Sequence, residues 1–177
     1  MRKLFLSILC FTLIGCSESV PRKPLNKKKE VFLKKSADRN KKQVSSEQET
    51  IKRAITQDSL INFQASSYGF WFAYIKKEDE NIPLPKKGDQ LKFSYQIEDL
   101  NENLLYDEET LGEVTYFVDE EELLPGLREG LRIMRPHEVV VFLFPSYLCF
   151  SYQGDGEKIG INQPLRYTIH LKSLTKK

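Results

Sequence analysis

The sequence predicts an α+β protein: a curved antiparallel sheet of about five strands wrapped around one short α-helix, preceded by an N-terminal helix and a flexible stem. Three observations lead there. From Tyr68 onward, apolar residues recur mostly at every second position, the period of a strand with one face buried. One short segment, "LLPGLREGLRIM" (Leu123–Met134), carries a helical stripe instead. The chain before Ser46 shows neither period and is rich in lysine.

Taken in order, the chain begins "MRKLFLSILCFTLIGC". Arg2 and Lys3 precede an uncharged apolar run, Leu4–Ile14, too short to cross a bilayer and suited to the core of a signal peptide, residues 1–15. Leu13-Ile14-Gly15-Cys16 resembles a bacterial lipobox, which implies that Cys16 is lipidated and becomes the mature N-terminus. Cys10 would leave with the signal, so Cys149 stands alone; no disulfide is expected, and a buried structural thiol is.

Residues 16–45 read as a basic linker. From Ser17 to Leu60 there are twelve Lys and Arg against six Asp and Glu, whereas from Ile61 onward there are thirteen against nineteen. A basic stem thus carries an acidic globule, and beside a lipid anchor it is expected to be a solvated tether drawn to anionic head groups. Nucleic acid is not an expected partner of an exported chain. In "SSEQETIKRAITQDS", Ser46 and Glu49 have capping-box spacing. Ile51, Ala54 and Ile55 recur at helical intervals. That predicts an amphipathic helix from Ser46 to Ser59, with its connection reaching residue 66, packed weakly enough that a globule starting near Ile61 folds without it.

The domain proper, residues 67–177, is expected to be strand-rich. "YGFWFAYIKK" alternates and is followed by a Pro- and Gly-containing loop, "NIPLPKKGD". "QLKFSYQIEDL" places Leu91, Phe93, Tyr95 and Ile97 on one face. "EVTYFV" is a short strand, and "EVVVFLFP" an apolar run buried on both sides. "LRYTIHLKSL" alternates Leu165, Tyr167, Ile169 and Leu171. In the one internal helix, Pro125 suits the first turn. Leu124, Leu127, Leu131 and Met134 form its stripe. Gly126 and Gly130, four apart, each cost about 0.5–1 kcal/mol relative to alanine, so close approach to the sheet is expected in return.

"GDQLKFSYQIEDLNENLLYDEE", "LLPGLREGLRIM", "VVVFLFPSY" and "INQPLRYTIHLKSL" together resemble, in order and spacing, the FKBP-type peptidyl-prolyl isomerases over Lys86–Leu174. Within that family the chain looks most like the gliding-motility-associated lipoproteins of Bacteroidota, through "SYGFWFAYIKK", "GLREGLRIM", "FLFPSY" and "GDGEKIGINQPL". The resemblance implies an FKBP-like sheet around its helix. It also implies a site in which Tyr95, Tyr106, Asp107, Phe150 and Tyr167 take the catalytic positions, with Leu123, Leu124, Leu127 and Ile159 lining the substrate. No metal or cofactor is implied.

Such a site would act by shape and polarity. An apolar aromatic cavity favours the twisted, less polar amide over the planar one, and this lowers the barrier to rotation about an X–Pro bond. The chain departs from the family at three places. Leu127 stands where an indole forms the floor, Phe150 lacks a rim hydroxyl, and His137 occupies a turn position where relatives often have glycine, which predicts a non-glycine residue at positive φ. These departures imply weak to moderate activity. The alternative expectation is a chaperone or binding module of a gliding or secretion apparatus, using the same groove with little or no catalysis. In either case the expected partners are proline-containing segments of exported or envelope proteins, met by a monomer held by its lipid on the outer membrane and facing the periplasm.

Overall fold

The structure, a computed structural model, describes residues 27–177. The expected signal peptide, Cys16 and the first part of the stem lie outside the described residues. The chain divides into two units, 1–36 and 37–177. In the first, the described residues, Lys27 to Ser36, are helical, and Val31, Phe32 and Leu33 are exposed.

Helix α1 runs from Lys27 to Gln57, so it begins nineteen residues before the expected start at Ser46. Residues 27–45, expected as flexible linker, are therefore helical. They lack an apolar stripe, but Lys, Glu, Ala and Arg are strong helix formers and no Gly or Pro interrupts them. Ser46 and Glu49 consequently lie inside the helix and cap nothing; the Ser46 carbonyl accepts from the Thr50 hydroxyl at 3.0 Å. From Gln43 onward one face is covered, through Val44, Glu47, Thr50, Ile51, Ala54 and Ile55. Ile51 is fully buried and Glu47 is 4 % exposed. Among the described residues of the helix only Glu47 and Ile51 are buried, so its seat in the domain is narrow.

Seven antiparallel strands follow: β1 (Gln64–Ala65), β2 (Trp71–Lys76), β3 (Gln90–Glu98), β4 (Leu104–Tyr106), β5 (Val114–Phe117), β6 (Val139–Phe144) and β7 (Leu165–Thr175). Five match the sequence expectation; β1 and β4, two and three residues long, are too short to show a period. The order is β1-β2-β6-β7-β3-β4. The outer edge of β3 is shared: Ile97 and Glu98 pair with β4, while Gln90 to Phe93 pair with β5. Tyr95 in β3 faces Ile169 in β7, and Phe142 in β6 faces Tyr167.

Alternation decides what the sheet buries. Leu165, Tyr167, Ile169 and Leu171 of β7 are all fully buried, as are Leu91 and Phe93 of β3. Helix α2 (Glu108–Leu111) is a single turn, and α3 (Pro125–Leu131) is the helix the sequence anticipates, with Pro125 in its first turn. Leu127, Leu131 and Met134 of its stripe are buried, whereas Leu124 is its half-buried N-cap. A Cβ on Gly126 would stand 3.0 Å from the Leu148 carbonyl oxygen and from the Phe144 ring, and one on Gly130 would stand 3.2 Å from the Phe142 ring. Helix and β6 touch there, which explains both glycines. His137 holds φ at 72°, and its N–H donates to the Leu171 carbonyl at 2.6 Å.

Candidate active site

The face between α3 and the sheet is aromatic because β3, β6 and β7 send their large rings to the same side. Phe142 and Phe144 stack at 5.2 Å, Phe144 meets Tyr167 edge-on at 5.4 Å, and Tyr95 stacks on Tyr167 at 5.8 Å and on Phe93 at 5.8 Å. Onto this row the chain folds four further segments. They are the start of α3 with Leu123, Leu124 and Leu127; the end of β4 with Tyr106; the 3-10 turn Ser146–Leu148, which leads into Cys149 and Phe150; and the loop that carries Ile159.

Eight of the nine residues expected for the site share this one apolar cluster. Leu127, Ile159 and Tyr167 are buried within it, while Tyr95, Tyr106, Leu123, Leu124 and Phe150 are partly buried against it. The buried three make the base and the half-exposed five are the surface a ligand could reach. Asp107 is the ninth and is placed differently. Its carboxylate accepts from the Thr110 N–H and caps α2, and this bond holds its pKa below the usual carboxylate range.

Around these residues stand one group the sequence anticipates, the buried thiol of Cys149, and others that carry no expectation from sequence. Cys149 is buried beside Tyr167, deeper than Phe150, and burial pushes its thiol up to about 12, so it is inert. The Tyr167 hydroxyl is itself buried with no well-formed hydrogen bond. The Tyr106 hydroxyl donates to Asp155, a bond that raises the phenol to about 12. Burial works to raise Asp155, but this hydroxyl and the amides of Glu157 and Ile159 bring it down to about 2. Those amides donate to Asp155 at 2.9 and 2.8 Å, closing a tight turn under Ile159. Gly154 makes the turn possible at φ 66°, since a Cβ there would run into the Ile159 carbonyl. Lys158 covers the outer side, 4.7 Å from the Tyr106 ring centre and 2.8 Å from the Leu105 carbonyl. The Ile159 loop is thereby tied to the end of β4. The pattern Gly-Asp-Gly in "QGDGEKIG" was the available signal for the turn, but nothing local indicates Tyr106 as its partner.

Two other cavities lie away from this face. One, of about 440 Å³, is lined by Asp58, Phe63, Asn101, Glu102, Leu143 and Arg166 among others. The second, of about 340 Å³, is lined by Ser94, Glu108, Glu109, Gly112, Glu113 and Lys172. In the first, Arg166 already pairs with Asp58, Glu98 and Glu102. In the second, Glu108 is held by Ser94 and Lys172. Charged walls of this kind suit an apolar ring poorly, so the aromatic face is the stronger candidate site. Among the described residues, no group of His, Cys, Asp and Glu could hold a metal ion, and no helix is long and apolar enough to cross a membrane.

Comparison with known proteins agrees on the domain. Residues 83–172 match the family described as FKBP-type peptidyl-prolyl cis-trans isomerase. Among solved structures, FkpA from Escherichia coli is similar at TM-score 0.60 and 15 % identity, over 99 % of this chain and 82 % of that one. A peptidyl-prolyl cis-trans isomerase from Pseudomonas syringae pv. tomato matches at 0.61 and 14 %, over 77 % and 96 %. The N-terminal domain of FKBP42 from Arabidopsis thaliana matches at 0.57 and 15 %, over 65 % and 93 %. Identities this low speak for the fold alone. No curated protein matches the chain by sequence.

Proposed function

The chain belongs to the FKBP-type peptidyl-prolyl cis-trans isomerases, and from that premise we propose that it isomerises X–Pro bonds of exported and cell-envelope proteins at the aromatic face between α3 and the sheet. The observation that carries the choice of site is the convergence of Tyr95, Tyr106, Leu123, Leu124, Leu127, Phe150, Ile159 and Tyr167, from separate segments, in one apolar cluster.

Rotation about X–Pro must break the resonance that keeps the amide planar, a barrier of about 18–20 kcal/mol. The planar amide is the more polar form and is better solvated by water than by this face. The twisted amide, with resonance lost, sheds that preference, so an X–Pro bond held against Tyr95, Tyr106 and Phe150 reaches it more readily. No nucleophile takes part in this scheme, consistent with a Cys149 thiol that burial keeps protonated. Asp107 contributes by holding α2 just after Tyr106.

The setting proposed for this activity is the cell envelope, with Cys16 as the lipid attachment, the outer membrane as the anchor and the periplasmic side as the place of action. Clients within a gliding-motility apparatus are a narrower version of the same proposal. Its support is the lipobox-like Leu13–Cys16 and the basic stretch after it.

The test is a proline-isomerisation assay on the purified protein without its first sixteen residues, alongside Tyr106→Ala. Acceleration by the parent, reduced in Tyr106→Ala while unfolding stays cooperative, supports the site. Binding of a proline-containing peptide without acceleration would instead establish the binding-module reading. For the anchor, Cys16→Ala should shift the full chain from membrane to soluble fractions or leave it unprocessed; unchanged partition with normal cleavage would rule out the lipid.

A further inference from the structure

We propose that Glu47 of helix α1 is a positioning residue for the isomerase site: its buried carboxylate caps the turn that delivers Cys149 and Phe150 to the aromatic face. This rests on the isomerase reading above. The turn Ser146–Leu148 starts from Pro145, which supplies no side-chain cap, so the Ser146 N–H has no partner of its own. Glu47, ninety-nine residues earlier in the chain, provides it. One carboxylate oxygen accepts from the Ser146 N–H at 2.8 Å and the other from the Ser146 hydroxyl at 2.7 Å. Gln43, one helical turn before, donates to the second oxygen at 3.0 Å.

Glu47 and Ser146 are 4 % and 3 % exposed, so the pair is shielded from water. A buried polar side chain must have its hydrogen bonds met, and here three donors meet the two oxygens of Glu47. Removing either partner leaves a buried polar group unmet, which makes the constraint mutual.

Ser146 is also the hub of the turn. Its carbonyl accepts from the Cys149 N–H at 2.9 Å and the Ser151 N–H at 2.8 Å. Beyond it, the Leu148 carbonyl lies against Gly126 at the start of α3, and Cys149 lies beside Tyr167. A shift at Ser146 therefore moves the Phe150 rim and presses on the segment that carries Leu127. Ile51, one turn further along α1 and fully buried, lies on the same helix face with a side chain that can hydrogen-bond to nothing in the turn, and so separates helix seating from turn capping.

The experiment uses the full chain with Glu47→Ala, Glu47→Gln and Ile51→Ala, reading kcat and KM for a proline peptide and amide hydrogen exchange at Leu148, Cys149 and Ser151. Glu47→Ala should speed exchange at these three amides and lower kcat/KM severalfold. Glu47→Gln, whose amide oxygen still accepts from Ser146 N–H while its NH2 donates to the hydroxyl oxygen, should return both most of the way. Ile51→Ala should lower stability yet leave the kinetic constants close to the parent. If Glu47→Ala fails to fold, Ser146→Ala carries the same expectation at smaller size. The proposal is overturned if Glu47→Ala leaves exchange unchanged, or if Ile51→Ala matches it in both readouts. A parent with no isomerase activity would refute the isomerase reading only, and the exchange at 148–151 would then decide the positioning role alone.

Discussion

Gly126 and Gly130 sit one helical turn apart on the same face of α3, yet replacing each by alanine should have different consequences. Alanine in a helix is favoured over glycine by about 0.5–1 kcal/mol, so both substitutions start from a gain. At Gly130 the new methyl would lie 3.2 Å from Cε1 and Cζ of Phe142 and 3.4 Å from Cζ of Phe144. These are ring edges that can tilt by a few tenths of an ångström, and gain and cost should nearly cancel. At Gly126 the methyl would meet the Leu148 carbonyl oxygen at 3.0 Å and the Cγ and Cδ1 atoms of Phe144 at 3.0 Å. Cγ is the pivot of the ring and the carbonyl is backbone of a turn capped by Glu47, so neither can yield. Overpacking of a fixed site costs about 1–3 kcal/mol, which leaves Gly126→Ala a net destabilisation of up to about 2.5 kcal/mol. Urea unfolding with equal m-values measures it, and each kcal/mol corresponds to about 2–8 °C in Tm for a domain of this size. Gly126→Ala should also slow isomerisation, because relief of the clash displaces Leu127 or the Phe150 turn. If Gly126→Ala proved as stable as Gly130→Ala, close approach would not be the reason for glycine at that position.

Two further outcomes follow from the electrostatics of the site. Asp155, at about 2 against a usual carboxylate value near 3.9, contributes stability that is fully present above about pH 4 and lost as pH falls through its folded value. Tyr106, raised to about 12, contributes stability present below about pH 10 and lost as pH rises through that value. The stability gap between the parent and Asp155→Asn should therefore be flat across neutral pH and close in acid, and a gap that persisted to pH 2 would refute the latch. Asp107→Asn keeps an acceptor for the Thr110 N–H whereas Asp107→Ala does not, so the first should isomerise at nearly the parent rate and the second more slowly. Equal losses in both would show instead that the carboxylate charge itself meets the substrate.

Much of the domain could be read locally. In β3 and β7 the two-residue period of Leu91, Phe93, Tyr95, Ile97 and of Leu165, Tyr167, Ile169, Leu171 determines which face is buried, because side chains alternate across a strand whatever lies beside it. Pro125, the leucine stripe and the paired glycines likewise specify a short helix pressed onto aromatic rings, and His137 bears the positive φ its position suggested. The gathering of Tyr95, Leu127, Ile159 and Tyr167 follows once those elements are in register. Other features were decided only in three dimensions. Lys27–Lys42 has no apolar period, so its helicity rests on propensity, which a pattern search does not register. Glu47 looks like any charged residue on an amphipathic helix until Ser146 is brought against it from ninety-nine positions away. Asp107 shows a carboxylate in a family position, but whether it faces the site or caps α2 depends on where the Thr110 N–H points. Tyr106 and Asp155, forty-nine residues apart, are joined only by the fold. A local sequence period reports which side of an element is apolar; the partner of a buried polar group is set by tertiary packing, because a hydrogen bond between distant segments leaves no mark on either segment alone.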